Sequence, residues 1–197
     1  RITIIVVFLL AFFVASNGQG SWSARKTGDA NVDLVTVYFT SSERGFVAGD
    51  SGYLASTNDG GRTWTKYPLN TDEDINEIYF RNDDNGYLVA GKLLFITWQS
   101  TSIYKPSDFR NGTPEFLSIR FADKKRGIVI GSILNSGGNV IDSLVFRTQD
   151  GGETWQRIPV PTKKELIHAD FSGKSKVWAV GDGGVIWFSD EGGLNWR

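Results

Sequence analysis

Apolar residues come along this chain in short bursts at a nearly constant interval. V-Y-F, I-Y-F, I-R-F and A-D-F end at Phe39, Phe80, Phe121 and Phe171. Each is followed, across a polar turn, by a second apolar run: G-F-V-A-G from Gly45, G-Y-L-V-A from Gly86, G-I-V-I-G from Gly127 and V-W-A-V-G from Val177. Runs this short, bounded by Gly, Asn, Asp and Ser, predict strands, and runs apolar at successive positions predict strands buried on both faces.

A third element repeats in the same register. T-N-D-G-G-R-T-W covers Thr57 to Trp64, T-Q-D-G-G-E-T-W covers Thr148 to Trp155, and S-D-E-G-G-L-N-W covers Ser189 to Trp196. A worn copy, T-W-Q-S-T-S-I-Y from Thr97 to Tyr104, keeps the leading hydroxyl and the closing aromatic. The closing aromatics are 40, 51 and 41 residues apart, and each repeating Phe lies 16 or 17 residues after an aromatic, the first being Trp22. Each unit therefore reads as four short strands with a Gly-rich turn before the last. Four-stranded units of about 40 residues, each too thin to bury its own faces, predict a β-propeller. The expectation is an all-β chain holding about four blades, part of a larger propeller of six or seven.

One apolar run breaks the pattern. Ile2 to Val14 carries no charge and leads into the small, polar A-S-N-G-Q-G. It is shorter than the roughly 20 residues of a membrane-spanning helix and has the length of a secretory h-region. The reading is a signal peptide over residues 1–18 and propeller blades over 19–197, with the mature chain periplasmic or extracellular and no membrane span after cleavage.

Composition then removes several chemistries. The 197 residues include no Cys and one His, so disulfides, thiolate zinc sites and cysteine nucleophiles are excluded, and neither metal nor other cofactor is expected. A formal charge of −1, from 21 basic against 22 acidic residues, gives no surface for tracking nucleic acid. Seven Trp and 23 Gly suit a fold that needs an aromatic and a tight turn per blade.

The octad is folding chemistry. Thr57, Asp59, Gly61, Thr63 and Trp64 in the first unit, and Thr148, Asp150, Gly152, Thr154 and Trp155 in the third, provide a carboxylate to bind turn N–H groups, a glycine for positive φ and an indole to pack between sheets. Ser189, Glu191, Gly193 and Trp196 do so in the fourth with Glu for Asp. On these residues the chain resembles the Asp-box, or bacterial neuraminidase repeat, propellers. The unit G-F-V-A-G-D-S-G-Y-L followed by S-T-N-D-G-G-R-T-W is most similar to the photosystem II stability and assembly factor-like family. That resemblance implies a non-catalytic scaffold that binds a protein partner. Sialidases and xyloglucanase-type hydrolases carry the same octad, so the alternative it implies is a glycoside hydrolase with a glycan partner and a site at the channel.

Candidate chemistry is sparse. Counting back from each Phe, the third position holds Thr36, Glu77, Ser118 and His168 and the first holds Tyr38, Tyr79, Arg120 and Asp170, one polar strand face that could line a channel. Glu77, Tyr79, Arg120, His168 and Asp170 are its candidates, and Glu77 with Tyr79 resembles the sialidase pair. Gly49-Asp50-Ser51-Gly52 looks like a serine-nucleophile string, but its copy Gly181-Asp182-Gly183-Gly184 lacks the serine, so a hairpin turn explains both. Arg157-Ile158-Pro159 directly follows an octad Trp, as Lys66-Tyr67-Pro68 does, and reads as a blade connection. Asp72, Glu73 and Asp74, with Asp83 and Asp84, read as solvated loop charges. The third unit carries about nine extra residues, Ser132 to Leu144, expected as a loop on the rim opposite the octads. Arg44, Arg126 and Lys176 occupy equivalent turns on the octad rim.

Overall fold

The computed structural model describes residues 23–24, 31–82, 85–95, 103–104, 109 and 112–197. The apolar run of residues 2–14, Trp22, Asp83, Asp84 and most of the worn octad lie outside them.

Four antiparallel meanders follow one another. The first holds β1 (Leu34–Phe39), β2 (Gly45–Gly49), β3 (Leu54–Thr57) and β4 (Thr65–Lys66). The second holds β5 (Ile75–Asn82), β6 (Asn85–Ala90), β7 (Leu93–Phe95) and β8 (Ile103–Tyr104). The third holds β9 (Thr113–Phe121), β10 (Gly127–Leu134), β11 (Val140–Thr148) and β12 (Gln156–Arg157). The fourth has β13 (Leu166–Ser172), β14 (Lys176–Gly181) and β15 (Val185–Ser189). Strand order within each sheet follows chain order, and the first strands of successive sheets lie against one another. These sheets are propeller blades. Among the described residues the only helical elements are two three-residue 3₁₀ turns, Asp50–Gly52 and Asp182–Gly184.

Every innermost strand carries a bulge at the same place, leaving Val35, Asn76, Leu117 and Ile167 without a direct partner. An extra residue in a strand reverses which face the following side chains take. The bulge therefore lets Ile75, Ile78 and Phe80 share one face although the first two are three apart, and all three are buried in one cluster with Phe46 and Ala48 of the preceding blade. The glycine beside the bulge on the second strand belongs to the same device. A Cβ at Gly49, Gly131 or Gly181 would lie 1.9, 1.9 or 1.8 Å from the carbonyl oxygen of Asp33, Glu115 or Glu165, at the entrance of the bulged strand. Aliphatic and aromatic burial then alternates from blade to blade: Tyr87 and Val89 pack on Phe116, Ile119 and Phe121, and Ile128 and Ile130 pack on Leu166, Ala169 and Val177.

The extra residues of the third unit do not form a loop. They lengthen the β10–β11 hairpin, with Ser132 paired to Ser143 and Ile133 to Asp142, and β9 starts early enough to pair Thr113 with Leu134. Asn135 closes the tip, its side-chain oxygen accepting the N–H groups of Gly137 and Asn139, each at 2.9 Å. Ser132, Ile133, Ser143 and Leu144 are buried, so only residues 135–139 at the tip are freely exposed.

Candidate functional site

Three surfaces carry the polar chemistry: the octad rim, the inner strands and the opposite rim. On the octad rim, Thr57 Oγ1 accepts the N–H of Gly61 at 2.9 Å and donates to Asp59 Oδ1 at 2.7 Å, while Asp59 accepts the Thr63 N–H at 2.9 Å and its hydroxyl at 2.6 Å. Thr148, Asp150, Gly152 and Thr154 repeat this bond for bond. In the fourth blade Ser189 still accepts the Gly193 N–H at 3.0 Å, but the longer Glu191 meets the side chain of Asn195 instead of a backbone N–H. Trp155 and Trp196 donate Nε1 to the carbonyls of Gly152 and Gly193 at 3.1 and 3.0 Å, and Trp64 packs edge-on against Phe39. Gly60, Gly151 and Gly192 each donate N–H to the turn between the first two strands of their blade, at Glu43, Lys125 and Ser175, so octads and those turns share one rim.

The octads also connect blades, which the sequence reading missed. Gly151 carbonyl accepts Tyr87 Oη at 2.7 Å and Arg81 Nη1 at 3.3 Å from the preceding blade, and Gly192 carbonyl accepts Arg147 Nε at 2.9 Å. The signal was a lone Arg whose partner lies about 45 to 70 residues away, beyond any local spacing.

Hydroxyl and N–H donors hold the octad carboxylates ionised. The Thr154 side chain, followed by its N–H, lowers Asp150 from the usual carboxylate range to about 2, and Thr63 acts likewise on Asp59. A depressed folded pKa contributes stability above the unfolded value near 3.8 and loses it as pH falls through the folded one. Asp150→Ala should cost about 1–2 kcal/mol at pH 7, and Glu191→Ala distinctly less. Chemical denaturation at pH 7 and at about pH 2 checks this: the Asp150→Ala deficit should shrink between about pH 4 and pH 2.

The inner-strand column is spent on joining blades. Thr36 Oγ1 accepts Ile78 N–H at 3.3 Å and Tyr38 Oη donates to Phe80 carbonyl at 3.1 Å. One blade on, Glu77 Oε2 accepts Ile119 N–H at 2.8 Å and Tyr79 Oη donates to Phe121 carbonyl at 3.4 Å. The third blade departs from this pattern. Ser118 Oγ is buried without a partner, and Arg120 turns back to pair with Glu77 Oε1 at 2.7 Å, to lie 5.5 Å over the Tyr79 ring and to meet His168 Nε2 at 3.2 Å. A guanidinium only donates, so His168 presents Nε2 as an acceptor there. Asp170 accepts the N–H of Phe171. Glu77, Tyr79, Arg120 and His168 are thus brought together, but as a network whose members occupy one another. Burial raises the Tyr79 phenol above its ordinary value, which opposes a phenolate nucleophile.

On the opposite rim one acid precedes each innermost strand: Asp33, Asp74, Glu115 and Glu165, six residues before each repeating Phe. This register went unread because the acids fall outside the apolar runs. Two of them reach back a blade, Asp74 accepting Ser51 N–H at 2.8 Å and Glu165 accepting Ser132 Oγ at 3.1 Å. Glu115 is raised above the ordinary carboxylate value, first by burial and then by Glu165 and Asp74. A raised carboxyl is penalised when charged, and the penalty disappears below its unfolded value. Glu115→Gln should therefore raise the melting temperature by about 2–4 °C at pH 7 and leave it unchanged near pH 3, as calorimetry at the two pH values would show.

The remaining strings have structural places. Ser51 sits at φ 55° in the β2–β3 turn, bonded to Asp74 rather than to a base, and His168 is on the fourth blade with Arg120. Glu73 pairs with Lys92 at 2.6 Å. Arg157 pairs with Asp142 at 3.2 Å, and Ile158 is buried beside the hairpin. Arg44 lies 5.5 Å over the Phe46 ring and Arg126 pairs with Asp123 within its own turn. Among the described residues no group of three or more His, Asp or Glu has the geometry to hold a metal ion.

Comparison with known proteins fits this architecture. The family model described as photosynthesis system II assembly factor YCF48 matches residues 14–102. Over those residues the chain resembles the photosystem II assembly factor-like Asp-box propellers. YCF48 bound to D1 peptide superposes with a TM-score of 0.59 at 20% identity, covering 84% of this chain and 52% of that one. YCF48 from Cyanidioschyzon merolae gives 0.57 at 21% identity, covering 81% and 51%. The GH74 xyloglucanase from Xanthomonas campestris gives 0.62 at 14% identity, covering 83% of this chain and 30% of the enzyme. No curated protein sequence matches. The chain spans about half the length of the YCF48 chains and shares their fold.

Proposed function

We propose that this chain is a non-catalytic scaffold that binds an extended segment of a protein partner, and that it works after export behind a cleaved leader. The observation that carries the reading is the state of the inner-strand network. Glu77 is held by Arg120 and the Ile119 N–H, and the Tyr79 hydroxyl donates its hydrogen bond to a backbone carbonyl, so neither group is free for acid, base or nucleophile work. A glycosidase needs two such groups free and facing one bond.

A rigid projection on a repeat scaffold is a contact surface held in place before binding, with little ordering cost. The β10–β11 tip supplies one, bordered by Asp142, Arg157 and the connection Pro159–Val160. YCF48 has been solved with a D1 peptide, which makes that peptide the natural probe.

The experiment titrates labelled D1 peptide into the full chain by fluorescence anisotropy and assays xyloglucan turnover in parallel. Because Ser132 and Leu144 are buried, the hairpin is trimmed only at residues 135–139. The expected result is saturable binding weakened at least about tenfold by the trim, roughly 1.4 kcal/mol, with Glu77→Gln neutral and no glycan turnover. Xyloglucan hydrolysis abolished by Glu77→Gln would replace the scaffold with an enzyme. Edman sequencing of protein secreted by the native host tests export: an N-terminus beyond residue 18 is expected, and one still carrying residues 2–14 contradicts it.

A further inference from the structure

The third blade, packed against the second on one face and the fourth on the other, has two outer strands of unequal length. β11 runs nine residues, from Val140 to Thr148, and β12 covers two of them, pairing Arg157 with Phe146 and Gln156 with Arg147. One more bond follows, from the Ile158 N–H to the Val145 carbonyl, before Pro159 turns the chain away. The first blade ends alike, with the Tyr67 N–H on the Leu54 carbonyl and Pro68 after it, but β3 starts at Leu54 and nothing is left over. β11 starts at Val140, five residues before Val145. The residues that lengthen the hairpin therefore leave Val140 to Leu144 with no outer strand among the described residues.

That last bond fixes the direction of the backbone. Val145 turns its carbonyl outward, and the backbone groups of alternate residues share an edge, so Ser143 turns its N–H and carbonyl outward too. The Ser143 N–H meets Oδ1 of Asp142 at 3.0 Å, and Arg157 holds Oδ2 of Asp142 at 3.2 Å. A carboxylate thus stands where the carbonyl of a fifth strand would stand. Charged side chains placed over a strand edge guard it against unwanted pairing. This guard is light, because the side chains of Arg157 and Asp142 are 43 and 42% exposed and an ion pair so exposed contributes little. Arg157 also lies 5.4 Å over the Phe109 ring, a contact it keeps when Asp142 leaves. Beside the pair is a cleft of about 320 Å³ lined by Asp142, Ser143, Arg157, Ile158, Pro159 and Val160.

We propose that this edge takes an extended segment of the partner as a fifth strand of the third blade, with the pair of Asp142 and Arg157 swinging aside to admit it. The inference rests on the scaffold reading and supplies its mode of recognition. The segment lies antiparallel to β11, as the other strands of this blade lie to their neighbours. Its carbonyl replaces the Asp142 carboxylate on the Ser143 N–H, its own N–H meets the Ser143 carbonyl, and an apolar side chain turns toward Ile158, Pro159 and Val160. Main-chain bonds hold such a segment, and its alternate side chains select it.

The peptide titration described above tests this with two changes. In the first, the peptide is N-methylated at one backbone position at a time, which deletes a donor and leaves every side chain in place. Methylation should weaken binding at least about tenfold at alternate positions within one short stretch and leave the positions between them unchanged. In the second, Asp142→Ala, checked for a wild-type circular dichroism spectrum, uncovers the Ser143 N–H and should tighten binding at least about threefold by removing the closed state. Binding that ignores methylation, or that falls equally at successive positions, overturns strand addition and leaves the scaffold reading standing. Unchanged or weaker binding by Asp142→Ala overturns the guard. No binding of the unmodified peptide removes the scaffold reading and this inference with it.

Discussion

Phe121→Ala should lower the stability of this protein by about 4 kcal/mol, in the range of aromatic truncations in packed cores, whereas Phe39→Ala should cost less than about 1.5 kcal/mol. The two residues hold the same register, six residues before Gly127 and Gly45. Phe121 is 8% exposed, with ring centroids of Tyr87, Tyr79 and Trp155 at 4.6, 6.1 and 6.1 Å and the Arg81 guanidinium 5.5 Å above it. Phe39 is 43% exposed, with Trp64 edge-on to its ring and Gly45 packed against the ring. Truncation leaves a cavity only where neighbours surround the side chain, so the gap between the two values measures what a neighbouring blade adds. Urea denaturation of both variants reads it, and equal midpoint shifts would mean that blades do not stabilise one another.

Gly131→Ala should be as damaging, by about 3 kcal/mol, although it adds one methyl group. Its Cβ would lie 1.9 Å from the Glu115 carbonyl oxygen, a backbone atom that has no rotamer to move away, and forced backbone shifts in a packed core cost about 1–3 kcal/mol or more. The second blade already has alanine at this register, Ala90, and there a two-residue turn at Gly91 and Lys92 replaces the 3₁₀ turn. Thermal melts of Gly131→Ala beside Gly138→Ala separate packing from backbone freedom, because a Cβ at Gly138 meets nothing within 4 Å, even though its φ is +75°. Equal losses would assign the effect to backbone conformation alone.

The repeat made most of the architecture legible. Octad spacing and the four Phe registers located strands, turns and blade boundaries, because each blade solves the same local problem with the same residue types. Two features were out of reach for physical reasons. The bulge in every innermost strand changes no residue type, only which face a residue takes, so strand alternation alone could not place Ile75 with Ile78. The β10–β11 projection read as a loop because S-G-G-N at its tip resembles any polar insertion, while the pairing of Thr113 with Leu134 that stiffens it comes from a segment about 20 residues upstream with no apolar run of its own. The inner-strand candidates were found as a column, but that Arg120 would spend Glu77 depended on a guanidinium crossing between blades.

The hydrogen bonds across the first two inner seams, Tyr38 to Phe80 and Tyr79 to Phe121, both span 42 residues, while pairing within a blade closes over far shorter stretches. Each meander can therefore gain its own ladder before paying the loop entropy of a seam, and stability becomes a chain of nearest-neighbour couplings. Opening can then proceed one blade at a time, so amide protons within one meander exchange together rather than with the whole chain.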